Sequence, residues 1–169
     1  KSGATGAGRN LKEQNLFSEV AEAMHAYGVG THQHAPEIEQ EMSLAAGRSV
    51  IVNFTPHLVP MTRGEYLSVY AKSANGAKAK DMRDCLQAHY SDAPFVRLAR
   101  EGLVPATRHV RGSNLCELAA FDDRLPARVI LFSALDNLVK GSSGQAVQNL
   151  NIMFGFDETE GLQQQPLYP

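Results

Sequence analysis

The feature that most constrains the fold is a short run of apolar residues near position 130. Residues 129–132 read Val-Ile-Leu-Phe, so adjacent positions on both faces of an extended chain are apolar. A strand of this kind is buried on both sides and therefore lies inside a sheet. The segments 66–71, 95–98 and 115–121 have strand patterns of their own and are its expected neighbours.

Helical patterns alternate with these strands. Pro36 suits a first helical turn and Gly47 suits a helix exit, so a helix is predicted between them. Apolar residues at helical spacing predict two more helices, over 78–90 and 146–154. The apolar, β-branched residues 50–54 predict one further strand. Paired strands with few intervening helices indicate an α+β fold with a mixed or antiparallel sheet.

Composition excludes several classes of protein. With 169 residues, 43% of them apolar, the chain can bury a core and is not disordered. The net charge of −2 argues against a nucleic-acid partner, and no apolar run is long enough to cross a membrane. Cys85 and Cys116 lie in periodic apolar stretches, which predicts two buried thiols in a reducing compartment. Because the chain begins Lys1-Ser2-Gly3 without methionine, we expect a piece of a larger protein.

The densest group of titratable side chains is His32-Gln33-His34-Ala35-Pro36-Glu37. In a loop that enters a helix, His34 would lie at the helix N-terminus, where a neutral imidazole is favoured and can exchange protons. Glu37, one turn later, could orient this imidazole. Two alternatives remain open: a helix cap with two surface histidines, or a metal site that includes His32.

Three further segments have features that suit an anion. Residues 3–9 (GATGAGR) form a glycine-rich turn that ends in Arg9, although such glycines also mark ordinary tight turns. Arg63 is a second cation beside a turn, and its alternative interpretation is a solvated surface residue. Residues 141–144 (GSSG) precede the last helical pattern and predict free backbone N–H groups at its start.

Five stretches, in order along the chain, carry a family resemblance: KSGATGAGR, YGVGTHQHAPEIEQE, VNFTPHLVPMTRG, VRGSNLC and DNLVKGSSGQAVQNLNIMFG. They resemble signature segments of N-acetyl-gamma-glutamyl-phosphate reductases, which are related to aspartate-semialdehyde dehydrogenase. The resemblance implies a domain like the C-terminal domain of glyceraldehyde-3-phosphate dehydrogenase, with helices packed on one face of the sheet. Residues 1–135 would be a catalytic and dimerisation domain, incomplete at its N-terminus. Residues 136–169 would be a C-terminal helix and tail that return to an absent NADP-binding Rossmann domain.

The resemblance also implies a reaction. The family converts N-acetyl-glutamyl 5-phosphate to the 5-semialdehyde and phosphate with NADPH, through a cysteine thioester, in arginine biosynthesis. The nucleophile lies in a Pro-Gly-Cys-Tyr segment that this chain lacks, so the chain alone is expected to be inactive. Expected partners are the acyl-phosphate substrate, the Rossmann domain that holds most of the NADPH, and further copies in a dimer or tetramer. The alternative is a dimerisation or scaffold module without chemistry.

Individual roles follow from the matching motifs. By the HxHxPEI motif, the resemblance makes His34 the acid–base residue. Substrate contacts are assigned to four side chains: Arg9, His32, Glu37 and Arg63. Cofactor contacts are assigned to five residues: Gly6, Gly8, Asn137, Gly141 and Gln145. No residue is assigned to a metal. The closing residues 161–169 look most like plant or algal members, which implies the chloroplast stroma, whereas a bacterial source would imply the cytoplasm.

Overall fold

The computed structural model describes residues 1–167, and the chain forms two compact units, Lys1–Met61 and Thr62–Pro169. The last two residues of the predicted tail, 168 and 169, lie outside the described part. Within residues 1–167, no helix combines the length and the apolar character needed to cross a membrane. The division at residue 135 that the family resemblance implies stays a prediction.

The first unit combines one 13-residue helix with shorter elements. It contains two helices and two strands: α1 (Phe17–Val20), β1 (His25–Ala26), α2 (His34–Ala46) and β2 (His57–Leu58). β1 and β2 pair antiparallel, and Ser2 forms a parallel bridge to β2. Helix α2 confirms the predicted helix and begins two residues before Pro36. It ends at Gly47, whose φ of +64° places the backbone in the left-handed conformation that glycine tolerates best.

The predicted strand at residues 50–54 is wrong. The amide of Val50 donates to the Ser43 hydroxyl at 2.9 Å, and the amide of Val52 donates to the Glu39 carboxylate at 3.1 Å. Both acceptors are side chains of α2, so this segment is hydrogen-bonded to a helix instead of a neighbouring strand. Local periodicity indicated an apolar segment but could not identify the partner of its backbone.

The second unit contains a four-stranded sheet with the order β3-β6-β5-β4. Its strands are β3 (Glu65–Lys72), β4 (Val96–Leu98), β5 (Cys116–Asp122) and β6 (Arg128–Leu135). β6 pairs antiparallel with β3 and β5, whereas β4 pairs parallel with β5, so the sheet is mixed. The apolar run 129–132 lies on β6, which is an inner strand of the sheet as predicted. The expected burial on both sides is only partly met, since Val129 is buried but Ile130, Leu131 and Phe132 are half-buried. The other three strands of this sheet are confirmed within one residue at each end.

Two helices complete the second unit: α3 (Ala79–His89) and α4 (Gly144–Phe154). Helix α3 packs against β4 and β5, and the amide of its first residue donates to the Asp122 carboxylate at 2.9 Å. A π-helical turn, Val139–Ser143, leads into α4, which ends at Gly155 with a φ of +71°. Both helices confirm the predicted segments.

Burial differs between the two units. In the described part of the second unit the buried apolar residues are Phe95, Ala99, Val110, Ala119, Ala120, Val129, Ala134 and Leu162. The first unit buries Leu58 but leaves Leu11, Phe17 and Ile51 each at least 85% exposed. The predicted burial of Cys85 is wrong, because this thiol lies on α3 and is exposed. Cys116, on β5, is half-buried.

Candidate functional site

The start of helix α2 presents the His34 imidazole to solvent. His34 is the first residue of the helix, and its side chain is 54% exposed. Its backbone N–H donates to Nδ1 of His32 at 3.2 Å, which satisfies one of the amides that a helix end leaves unpaired. Nδ1 of His32 is therefore the acceptor in this contact. His32 thus acts as a side-chain cap for the segment that holds His34.

Aromatic rings surround these two histidines within the first unit. The ring of His32 lies 4.7 Å from that of His34 in a T-shaped arrangement. Tyr27 and Phe54 each lie 5.5 Å from His32, and Phe54 lies 6.4 Å from His34. The Tyr27 hydroxyl is 3.2 Å from the hydroxyl of Ser2. The His34 ring is therefore contacted by the rings of His32 and Phe54, while more than half of its side chain is exposed. Sequence reasoning missed Tyr27 and Phe54, although both lie in stretches that resemble the family.

Glu37 makes only a loose contact with His34. Its Oε2 lies 4.0 Å from Nε2 of His34, one helical turn away, and both side chains are more than half exposed. An exposed pair at this distance contributes less than about 1 kcal/mol. Glu37 can bias the orientation of the imidazole but does not fix it.

The glycine turn near the N-terminus uses its own amides. The 3₁₀ turn Ala4–Ala7 contains Gly6, whose amide donates to the Gly3 carbonyl at 3.3 Å. The amide of Gly8 donates to the Thr5 carbonyl at 3.1 Å. These two donors are therefore unavailable to a phosphate. Arg9 is exposed and has no hydrogen bond or ion pair within residues 1–167, so its guanidinium is accessible to an anion.

In the second unit, Arg63 is held by a carboxylate that sequence reasoning missed. Nη2 of Arg63 lies 3.0 Å from Oδ2 of Asp136, and its Nε donates to Oδ1 at 3.3 Å. The Asp136 side chain is 0% exposed, whereas that of Arg63 is 28% exposed. The two interpretations from the sequence, substrate binding and a solvated surface position, did not include this buried partner for Arg63. The one feature of the sequence that could have indicated it is that Asp136 comes directly after the strand pattern 128–135.

The assigned cofactor residues of the second unit also have internal partners. Oδ1 of Asn137 accepts the backbone N–H of Gly64 at 2.7 Å. The side-chain amide of Gln145 donates to Oδ1 of Asn149 at 2.9 Å on the surface of α4. The structure tests none of the assigned substrate or cofactor contacts, and they remain predictions.

The predicted free amides at residues 141–144 are wrong. The N–H of Gly141 donates to the Asp136 carbonyl at 3.0 Å, and that of Ser143 donates to the Leu138 carbonyl at 3.2 Å. The N–H of Gly144 also bonds to a carbonyl of the preceding π-helical turn. This turn uses the donors that a simple helix start would leave open. The backbone amides of Gly6, Gly8, Gly141 and Gly144 thus have acceptors within the chain, and the cofactor contacts assigned to Gly6, Gly8 and Gly141 stay predictions.

Neither thiol of the chain has the surroundings of an activated nucleophile. Sγ of Cys116 lies 3.4 Å from the hydroxyl of Ser133, and burial raises the pKa of the Cys116 thiol above its ordinary value. Cys85 lies on the exposed side of α3. Across residues 1–167, no group of three or more His, Cys, Asp or Glu side chains is arranged to hold a metal ion.

Solved structures with the same architecture define the fold. An aspartate semialdehyde dehydrogenase II from Vibrio cholerae superimposes with a TM-score of 0.69 at 17% identity, covering 90% of this chain and 52% of that one. A probable aspartate-semialdehyde dehydrogenase from Pseudomonas aeruginosa gives a TM-score of 0.63 at 20% identity, covering 86% of this chain and 46% of its own. The α+β fold is therefore that of semialdehyde dehydrogenase C-terminal domains, as expected.

Sequence comparison then defines the family. The model of the family described as semialdehyde dehydrogenase, dimerisation domain, matches residues 1–137. This match covers most of the chain, and the chain belongs to that family.

Curated relatives narrow the comparison further. The chain is 57% identical to the N-acetyl-gamma-glutamyl-phosphate reductase of Rhodospirillum rubrum over 100% of this chain and 48% of that protein. It is 53% identical to the probable chloroplastic enzyme of the same name from Arabidopsis thaliana, over 100% of this chain and 42% of that protein. The chain thus spans about half the length of the curated relatives it matches.

Proposed function

We propose that this chain is part of an NADPH-dependent N-acetyl-gamma-glutamyl-phosphate reductase. Such an enzyme converts N-acetyl-glutamyl 5-phosphate to N-acetyl-glutamate 5-semialdehyde and phosphate. The observation that carries the proposal is the 57% identity, over the whole of this chain, to the Rhodospirillum rubrum reductase. A plant or algal source would place it in the chloroplast stroma and a bacterial source in the cytoplasm.

His34 is the proposed acid–base residue. Its exposed imidazole at the start of α2 can accept the proton of a thiol that attacks the acyl phosphate, and can return a proton to the product. His32 caps the backbone at His34, and Glu37 biases the ring, so both act as positioning residues in this proposal. Phe54 supports the same ring from the side.

The nucleophile and most of the cofactor site are proposed to lie in the part of the enzyme outside this chain. Cys116 is half-buried with a raised pKa, and Cys85 lies in no Pro-Gly-Cys-Tyr segment, so neither suits the attack. NADPH, when bound, supplies the hydride. Arg9 and Arg63 are proposed to bind anionic groups of the substrate, because a guanidinium pairs with carboxylate and phosphate alike.

The outer side of α4 is the proposed docking surface for that cofactor-binding part. The exposed apolar residues of α4 are Val147 (40%), Leu150 (47%), Ile152 (57%), Met153 (80%) and Phe154 (69%). Large apolar side chains this exposed are costly in water and favour contact with a partner. The relatives are about twice as long as this chain, so a further domain is available to supply it.

A second copy of the chain is proposed to cover one face of the sheet. Tyr66 and Phe121 contact the ring of Phe132, with centroid distances of 5.7 and 5.8 Å. Tyr70 lies on the same face by the strand register and is 67% exposed. This aromatic face, together with the dimerisation domain named in the family description, supports a homo-oligomer.

The test uses the full-length protein that carries this chain, assayed by NADPH oxidation with N-acetyl-glutamyl phosphate. We expect His34→Ala to lower kcat by about 10²- to 10⁴-fold, the usual share of acid–base catalysis. The control is His89→Ala, an exposed histidine at the end of α3, which should keep normal turnover.

The outcomes separate the parts of the proposal. Near-normal turnover of His34→Ala would reject the role of His34 alone. An intact oligomer of the unaltered protein without NADPH oxidation would reject the reductase and favour the scaffold alternative.

A further inference from the structure

We propose that Asp136 is a positioning residue for Arg63, and that it orients the guanidinium so that its outer edge binds an anionic group of the substrate. The inference rests on the proposed function, because it assigns a partner to one of that function's substrate contacts. The anionic group is a phosphoryl or carboxylate group, which a guanidinium edge recognises by the same paired hydrogen bonds. All the residues involved belong to the second unit.

The contact between the two side chains uses one edge of the guanidinium. Nε and Nη2 of Arg63 lie 3.3 and 3.0 Å from Oδ1 and Oδ2 of Asp136, which is a two-point pairing. A guanidinium has five N–H donors in a fixed plane, so this pairing also sets the direction of the remaining edge. Nη1 has no partner within residues 1–167, and the Arg63 side chain is 28% exposed. The remaining edge is therefore held in a fixed plane, on a side chain that is partly exposed.

The Asp136 carboxylate is itself fixed by backbone donors. Oδ1 accepts the N–H groups of Leu138 and Val139 at 2.8 and 3.2 Å, and Oδ2 accepts the N–H of Gly112 at 2.7 Å. The side chain is fully buried. Three amides from two separate segments would hold this carboxylate in place even without the arginine. Asp136 therefore determines the orientation of the Arg63 guanidinium, and not the reverse.

The next residue fixes the backbone beside Arg63. Oδ1 of Asn137 accepts the N–H of Gly64 at 2.7 Å, and Gly64 has a φ of +120°, a conformation that only glycine adopts readily. Arg63 is thus restrained through its side chain by Asp136 and through its backbone by Asn137. A free arginine side chain loses rotamer entropy when it is immobilised, and this restraint removes much of that cost at binding.

The closing experiment is a double-mutant cycle on the full-length protein with Asp136→Asn, Arg63→Gln and the double variant. We expect each single variant to raise KM for N-acetyl-glutamyl phosphate by about ten- to a hundredfold, the effect of losing a charge-assisted hydrogen bond. KM for NADPH should stay within about twofold in each variant. If Asp136 acts through Arg63, the double variant has the same KM as Arg63→Gln alone. The control is Glu117→Gln, which removes a different buried carboxylate from its 3.2 Å pairing with Arg97.

A thermal-unfolding curve accompanies each variant, since loss of a buried ion-pair partner lowers stability in any case. A fall in Tm with unchanged KM would overturn the positioning role. So would KM effects that multiply in the double variant, or an equal rise of KM in Glu117→Gln.

A binding arm keeps this result separate from the proposed function. Inorganic phosphate and N-acetylglutamate are titrated into the unaltered protein and into Asp136→Asn by calorimetry. Weaker binding of phosphate alone assigns the phosphoryl group to Arg63, and weaker binding of N-acetylglutamate alone assigns the carboxylate. Unchanged binding of both overturns the proposal, whereas absent NADPH oxidation in the unaltered protein overturns the reductase and leaves the binding arm to decide the role of Asp136.

Discussion

At the residue scale, burial decides how each side chain can react. Cys116 is half-buried on β5 beside the Ser133 hydroxyl, and desolvation raises the pKa of its thiol because the thiolate is the charged form. Cys85 is exposed on α3. Both looked like core thiols in the sequence, since both follow apolar periodicity. The two thiols differ in exposure because only one of them lies on a side of its element that packs against other parts of the chain. The residues next to each cysteine do not determine which side this is.

We expect iodoacetamide at pH 8 to alkylate Cys85 much faster than Cys116. The reacting species is the thiolate, and a raised pKa keeps the thiol of Cys116 protonated to a pH above its ordinary value of 9.0. Labelling of Cys116 should therefore rise with pH and should keep rising above that value. Mass spectrometry of the two tryptic peptides measures the rates, with Cys85→Ser and Cys116→Ser as controls. Equal rates at pH 8 would contradict the burial argument.

At the element scale, helix α4 is unusual because its inner side is polar. Gln148 and Asn151 are 7% and 3% exposed, whereas its large apolar residues are exposed. Oε1 of Gln148 accepts Nδ2 of Asn114 at 2.9 Å and Nζ of Lys140 at 2.8 Å, and its amide donates to Glu158 at 2.6 Å. Burial lowers the pKa of the Lys140 ammonium. Hydrogen bonds thus hold the inner side of α4, which leaves its apolar side available for another domain.

We expect Gly144→Ala to destabilise the chain by about 2 kcal/mol or more, because overpacking at a rigid site is not relieved. A Cβ at this position would meet the Val139 carbonyl oxygen at 2.7 Å, a backbone atom that cannot move aside, as well as the Asn114 amide. Urea unfolding measures the effect.

The control is Gly141→Ala, where a Cβ would meet Cδ1 of Leu135 at 3.2 Å. That atom ends a flexible side chain, so we expect a change within about 1 kcal/mol. Equal effects of the two substitutions would show that the close contacts around Gly144 are not what excludes a side chain there.

At the scale of the whole molecule, two groups of apolar side chains are candidates for contact with a partner. One is the exposed apolar side chains of α4, and the other is the aromatic group on one face of the sheet, Tyr66, Tyr70, Phe121 and Phe132, of which Tyr70 is 67% exposed. Their assignment to different partners, a cofactor-binding domain and a second copy, rests on the proposed function. The two assignments can be tested separately because the residues do not overlap.

We expect Tyr70→Asp to shift the protein from dimer to monomer, because a second copy would desolvate a carboxylate without a partner on this face. The control is Val69→Asp, since Val69 is 41% exposed but points to the opposite face of β3. Sedimentation velocity on the full-length variants measures the mass. Dissociation by Val69→Asp instead would place the dimer contact on the other face.

The amino-acid sequence by itself determined the elements that depend on neighbouring residues. The two-sided apolar run 129–132 predicts an inner strand, and the glycines at 47 and 155 end helices through positive φ angles. The position of His34 at a helix start also follows from its own segment, since Pro36 and Glu37 favour the first turn. These features are local, so a short window contains the forces that produce them.

Only the tertiary structure decided what each element meets. Residues 50–54 are hydrogen-bonded to α2 instead of a strand, and Asp136 holds an arginine 73 positions away. Phe54, which supports the His34 ring, lies 20 positions further along the chain. Such partners are brought together by long-range packing, whose free energy depends on the whole fold and has no periodic signature in the sequence.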